Sequence, residues 1–238
     1  MRTSEILKLA YIISSNNLTY LECGGGGAEE TQELCSNNNC YYIEALYDEY
    51  IKLKNKKYNV VNYALTDNNN NTVEFCITSH GGNSSVSHSD AHKNELITHY
   101  NSTFTKTIVP ATTYKNYIEN IIKTNIDILI LDIEGHECTV LNTFRELKLE
   151  QLPKIICIEC GYDWKERKNI LLELGYVLDF YEFNNCYLSH STANIQKNLH
   201  NINLFNKRNK KFIWHDIIIY ENELYTTAYS KRRPMEAF

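Results

Sequence analysis

The 238-residue sequence predicts an α/β fold, with a largely parallel sheet covered on both faces by helices. Three observations carry this. Short apolar runs alternate with amphipathic stretches of helical length. The runs themselves are continuously apolar, as in "DILIL" and "KIICI", which suits strands buried on both faces. Four of the runs end in an acid: Glu22, Glu44, Asp132 and Glu159. In a parallel sheet all carboxyl ends lie on one edge, and ligands bind in the crevice outside it. Four carboxylates are therefore expected to converge on one rim.

The elements follow in order. "SEILKLAYII" has helical spacing and places a helix in residues 1–17. "LTYLEC" (18–23) is a strand, "GGGGAEET" (24–31) a glycine turn leading into a helix from Glu29, and "CYYIE" (40–44) the next strand. "LYDEYIKLK" is helical; "YNVVNYAL" (58–65) and "TVEFCIT" (72–78) are strands across an Asn-rich turn. Residues 79–105 are polar and read as a loop over the rim. "TIVP" is short and extended, and "TTYKNYIENIIK" is helical. Strand "IDILILD", helix "ECTVLNTFREL", strand "PKIICIE" and helix "WKERKNILLELG" follow. "YVLDFYEF" and "KFIWHDIIIY" are expected to be the last paired strands, joined by a long polar loop over 186–211 that also reaches the rim. No repeat or Gly/Pro-rich linker divides the chain, so residues 1–238 read as a single domain.

Composition bounds the function. Net charge is −5 and 43% of residues are hydrophobic, which argues against a nucleic-acid-binding face. "KRNKK" (207–211) and "KRR" (231–233) read as solvated surface. No apolar run approaches the ~20 residues that span a bilayer, and "EILKLAYII" carries Lys8 inside its apolar stretch, unlike a signal peptide. The eight cysteines show no Cys/His pattern with zinc spacing and lie mostly in apolar runs, as reduced core thiols of a cytoplasmic protein would.

Glycines between a strand and a helix let backbone amides approach a ligand. Glu44 lies about 20 residues beyond them, where a nucleotide fold places the acid that binds ribose hydroxyls. A dinucleotide fingerprint starting at Gly24 would put Glu29 where its last glycine belongs, beside a pyrophosphate. That is electrostatically unfavourable. S-adenosylmethionine carries a positive sulfonium and amino group and no phosphate, so an acid-rich rim suits it. Glu22 could meet that amino group directly or through water.

In "DIEGHECTVL", Asp132, Glu134, Gly135, Glu137, Val140 and Leu141 match D-x-E-G-x-E-x-x-V/I-L. With "YLECGGGG", "YYIEALYDEYIKL", "VVNYALTD" and "GGNSSV" in that order, residues 18–190 resemble the FkbM-type S-adenosylmethionine-dependent methyltransferases. The resemblance implies the class I methyltransferase sandwich: a three-layer, Rossmann-like fold on a seven-stranded, mostly parallel sheet with one antiparallel strand. It implies a cofactor site at Glu22, Gly24, Gly26, Glu44, Ala45, Ala64, Leu65, Asp67 and Asp132. The family's first-motif Asn and Gly fall on Gly26 and Ala28, its Pro after the ribose acid on Ala45, and its Lys before the motif acid on Ile130. Its implied acceptor is a sugar hydroxyl on a glycan or glycosylated small molecule.

A hydroxyl acceptor must lose its proton. His136 is the residue of the motif that titrates near neutrality. Asp132 and Glu159, on adjacent strands in class I order, suit three roles: orienting hydroxyls, acting as base, or holding a divalent ion. Glu134 can join any of these. Two other readings stay open on the residues, a nicotinamide-dependent Rossmann oxidoreductase and a non-catalytic module that keeps the pocket.

Overall fold

The computed structural model describes residues 2–13, 18–24, 26, 28, 30–34, 39–68, 70–79, 82–88, 90–160, 163–182, 185–208, 211–214, 217–220 and 223–226. The strands in chain order are β1 (Tyr20–Cys23), β2 (Cys40–Ile43), β3 (Asn59–Val61), β4 (Ala64–Leu65), β5 (Thr72–Thr78), β6 (Phe104–Thr112), β7 (Ile128–Leu131), β8 (Ile155–Glu159), β9 (Tyr176–Glu182), β10 (Asn185–His190), β11 (Lys211–Trp214), β12 (Ile217–Tyr220) and β13 (Glu223–Thr226). The helices are α1 (Thr3–Ala10), α2 (Tyr47–Asn55), α3 (Asp90–Tyr100), α4 (Tyr114–Asn116, running into a π turn to Ile121), α5 (Glu137–Thr143), α6 (Trp164–Glu173) and α7 (Leu199–Arg208).

Seven strands form the main sheet in the order β3-β2-β1-β7-β8-β10-β9. All run parallel except β10, which is antiparallel to both β8 and β9. This is the class I methyltransferase arrangement. The period-2 alternation of β1 and β7 builds the three layers. Leu21, Cys23, Leu129 and Leu131 face a core with Val140, Leu141, Phe144 and Trp164. Tyr20, Ile128 and Ile130 face the other core with Ile6, Leu7, Phe180 and Phe205.

Several expectations are corrected. "YNVVNYAL" is two strands in different sheets, because the Asn62 side chain donates to the carbonyls of Glu44 (2.9 Å) and Ala45 (2.8 Å) and turns the chain between them. "TIVP" is part of the nine-residue β6, which pairs with β5 along its length and with β4, making a small second sheet. The polar stretch 79–105 contains α3. The stretch 186–211 is no loop: it holds buried β10 and helix α7. The partner of β9 is accordingly β10, while "KFIWHDIIIY" pairs within a separate three-stranded sheet, β11-β12-β13. After the glycine turn a single 3-10 turn, Gln32–Leu34, stands where a helix was expected; Glu29 itself lies outside the described residues. Cys160 and Cys186, at the paired ends of β8 and β10, are disulfide-bonded rather than reduced. Among the described residues, no helix is long and apolar enough to cross a membrane.

Candidate active site

The carboxyl ends of β1, β2 and β7 open onto a cavity of about 370 Å³. Gly24 and Gly26 line it from the turn after β1, and Glu44, Ala45 and Leu46 from the end of β2. Ala64 and Leu65 come from β4, and Phe75 and Ile77 from β5. Asp132, Glu134 and His136 come from the turn after β7. A strap, residues 82–88, supplies Ser84 and Val86.

The turns after β1 and β7 pass very close. Gly24 has φ +84°, and a Cβ on it would stand 1.7 Å from the carbonyl oxygen of Asp132. Only glycine fits there. Beyond Asp132 the chain reverses through two left-handed residues, Glu134 (φ +57°) and Gly135 (φ +103°). For glutamate that conformation is strained, and such strain persists where the surroundings impose it.

What imposes it is Glu137. Its fully buried carboxylate accepts the backbone N–H groups of Ile133 (3.1 Å) and Gly135 (3.0 Å), closing the turn. It is paired with Arg167 of α6 at 2.7 Å, and Arg167 donates a second bond to the Glu159 carbonyl at 2.7 Å. One buried ion pair therefore ties β7, α5, α6 and the end of β8 together.

Two acids of this turn, Asp132 and Glu134, are pushed above the usual carboxylate range. Burial, then the charges of Glu159 and Glu137, push the Asp132 carboxyl well above the usual range, and Arg167 pulls it back in part. Burial and Asp132 push Glu134 up likewise. Asp132 Oδ1 is buried with no hydrogen-bond partner. His136 caps the N-terminus of α5 and is only 7% exposed. Its Nδ1 lies 2.8 Å from Ser87 Oγ, and its Nε2 is buried without a partner. Burial lowers its pKa against the opposing pull of Glu137 and Asp67, so the ring is neutral at pH 7.

The strap is pinned to this turn. Ser85 exchanges two backbone bonds with Cys76 of β5 (2.8 and 3.0 Å), and its hydroxyl donates to the Ile133 carbonyl (2.8 Å). On the other side, the Glu44 carboxylate accepts from Leu46 N (2.8 Å) and from the backbone N–H groups of Gly26 and Ala45. Burial raises its pKa and these bonds oppose the rise.

Gly24, Gly26, Glu44, Ala45, Ala64, Leu65, Asp132, Glu134 and His136 thus border one cavity. Three predicted residues do not. Glu22 points to the opposite face of β1 from Leu21 and Cys23, where it accepts from Thr31 Oγ1 at 2.5 Å beneath the glycine turn. Asp67 is exposed and lines a separate polar cavity with Asn116 and Glu146. Glu159 acts on Asp132 through its charge and does not line the cavity. Among the described residues no group of three His, Cys, Asp or Glu side chains is arranged to hold a metal ion, so Asp132 and Glu159 lack a third ligand. Ser85 lies in the "GGNSSV" motif, whereas Arg167, Ser87 and the apolar wall of β5 were not singled out from sequence. Their roles depend on contacts remote in the chain, and no local pattern marks them.

The family described as "Methyltransferase FkbM domain" matches residues 17–204. No curated protein matches in sequence. Among solved structures, the chain is similar to M. capricolum TrmK in complex with its cofactor product S-adenosyl-homocysteine. The identity is 13%, the TM-score 0.39, and the match covers 82% of this chain and 67% of that one.

Proposed function

The chain belongs to the FkbM methyltransferase family and is an S-adenosylmethionine-dependent methyltransferase; from that premise we propose that it is an O-methyltransferase whose acceptor is a sugar hydroxyl, on a glycan or a glycosylated small molecule. The observation that carries the hydroxyl reading is His136: a neutral imidazole that lines the cavity and whose Nε2 is buried without a partner. A thioether acceptor has no proton to lose and would make a neutral base there unnecessary, whereas a hydroxyl must give one up.

The residues present fit the cofactor. The described lining includes the acids Glu44 and Glu49 and neither Lys nor Arg, which suits a sulfonium cation and leaves a pyrophosphate without a counter-charge. Glu44 retains acceptor capacity for ribose hydroxyls beyond its backbone bonds. Leu46, Ala64, Leu65 and Ile77 offer apolar contact for a purine. The cofactor supplies, when bound, a methyl group on a cationic sulfur for in-line displacement. Asp132 and Glu134, kept protonated by burial, can donate hydrogen bonds to acceptor oxygens and so orient them. His136 Nε2 takes the hydroxyl proton.

Calorimetry with S-adenosylmethionine and NAD, followed by transfer of a labelled methyl group to a panel of glycans, tests the proposal. Cofactor binding with label on a glycan oxygen is the expected result; label only on nitrogen or sulfur acceptors would overturn it. Two variants probe the site. Glu44→Ala should weaken S-adenosylmethionine binding by about 10- to 100-fold, the loss of hydrogen bonds to a charged group, and unchanged affinity would remove the ribose assignment. Glu134→Gly should relieve the left-handed strain and stabilise the fold by ~1 kcal/mol in urea unfolding while methyl transfer drops at least about tenfold. A variant as active as the wild type would place Glu134 outside the chemistry.

A further inference from the structure

Two facts about the strap bear on the chemistry of His136. Its position is fixed independently of the imidazole: Ser85 is held by two backbone bonds to Cys76 and by its single hydroxyl proton, which lies between the Ile133 carbonyl (2.8 Å) and the Ser87 carbonyl (3.0 Å). And the next serine along, Ser87, places its Oγ 2.8 Å from His136 Nδ1.

A neutral imidazole carries one proton, on either nitrogen, and each choice has a different consequence. With the proton on Nε2, a buried N–H would be left without a partner. Orphaned buried N–H groups are rarer and costlier than under-used acceptors. With the proton on Nδ1, that N–H has an acceptor in Ser87 Oγ, and Nε2 is left as a lone pair. Ser87 is exposed, so its own O–H can donate to water and its oxygen is available to accept.

We propose that Ser87 is the positioning residue for His136: its hydroxyl oxygen accepts the Nδ1–H and so holds the ring, which lines the cavity, in the tautomer that leaves Nε2 a lone pair. The proposal rests on the reading of His136 as the acceptor of the substrate proton. Ser87 touches neither cofactor nor acceptor in this arrangement and works through the imidazole alone. The step is a simple proton transfer: the acceptor O–H bond breaks, an Nε2–H bond forms, and the resulting imidazolium keeps its Nδ1–H on Ser87. Two charged groups act on the ring from neighbouring elements, Glu137 from α5 and Asp67 from beyond β4. Glu137 is neutralised by Arg167 of α6, and Asp132 and Glu134 border the same cavity. On the strap itself His88 is turned away, with Nε2 2.7 Å from the Asn83 carbonyl. Ser87 is therefore the neutral group that decides the tautomer.

The test needs no acceptor. In the full chain labelled with ¹³C and ¹⁵N in histidine, the His136 ring is identified as the signal lost in His136→Asn. Its carbon and nitrogen shifts report the tautomer, and their pH titration reports the midpoint. The wild type should show the Nδ1–H form. In Ser87→Ala the ring should shift toward a mixture with the Nε2–H form, and the midpoint should fall by about 0.7 pH, the worth of one lost hydrogen bond to the imidazolium. Ser87→Thr should restore both. A wild-type ring in the Nε2–H form, or a Ser87→Ala ring unchanged in tautomer and midpoint, would overturn the proposal. The base reading fails separately, if His136→Asn transfers methyl groups to the glycan panel at the wild-type rate.

Discussion

Arg167→Met is expected to destabilise the protein by about 3–5 kcal/mol, the cost of leaving one member of a buried ion pair without its partner. The side chains of Arg167 and Glu137 are 3% and 0% exposed, so water does not replace the lost guanidinium. Arg167 also donates to the Glu159 carbonyl, which loses this donor with it. The effect should reach the site, because Glu137 is what closes the turn that carries Asp132, Glu134 and His136. Urea unfolding should show a lower midpoint with an unchanged slope, and calorimetry should show weaker S-adenosylmethionine binding. Adding Glu137→Gln removes the stranded charge and keeps an amide oxygen for the backbone donors. The double variant should therefore recover part of the stability, a non-additivity that marks a coupled pair. A single variant within about 0.5 kcal/mol of the wild type would show the pair to be solvated.

The contrast between Glu137 and the other motif acids shows what a sequence conveys. That apolar strands deliver acids to one edge was legible from period and polarity, and the sheet order agrees. That the D-x-E-G-x-E stretch forms the rim was legible from its residues. The division of labour within it was not. Glu137 stood only as one position of the motif, and its role depends on Arg167, 30 residues on in a helix whose pattern gives no hint of a buried cation. Glu22 stands apart from the cavity lining for a different reason: the strand's own alternation sets it opposite Leu21 and Cys23, a parity that a reading of strand-end acids alone does not weigh. The last sheet strand was misassigned because hydropathy favours "KFIWHDIIIY" over "NCYLSH", whereas hydrogen-bond pairing with β8 and β9 selects the latter. Cys160 and Cys186 were invisible as a pair, since spacing along the chain says nothing of adjacency across strands.

Gly24→Ala is expected to disrupt the site most directly. The added methyl would stand 1.7 Å from the Asp132 carbonyl oxygen and 2.9 Å from its carbonyl carbon. Both are backbone atoms, so no side chain can rotate away, and the two turns must separate. The residue would also be forced to keep φ +84°, which alanine disfavours. Overpacking and the left-handed backbone together should cost about 2–5 kcal/mol. Asp132 N donates to the Cys23 carbonyl at 3.1 Å and Gly24 N to the Ile43 carbonyl at 3.2 Å, so separation breaks the junction of β1, β2 and β7 where the cavity begins. S-adenosylmethionine binding should be lost even where the chain still folds. Gly26→Ala is the matched control. Gly26 lies in the same turn, with φ +38° and nothing within 4 Å of a built Cβ. It should lose only the backbone preference, about 1–2 kcal/mol. Unfolding midpoints and cofactor affinities of the two variants, measured side by side, separate close approach from backbone conformation. Equal losses in both would mean that the glycines of this turn matter for their dihedral freedom alone, and that the contact between the β1 and β7 turns is not what shapes the cofactor site.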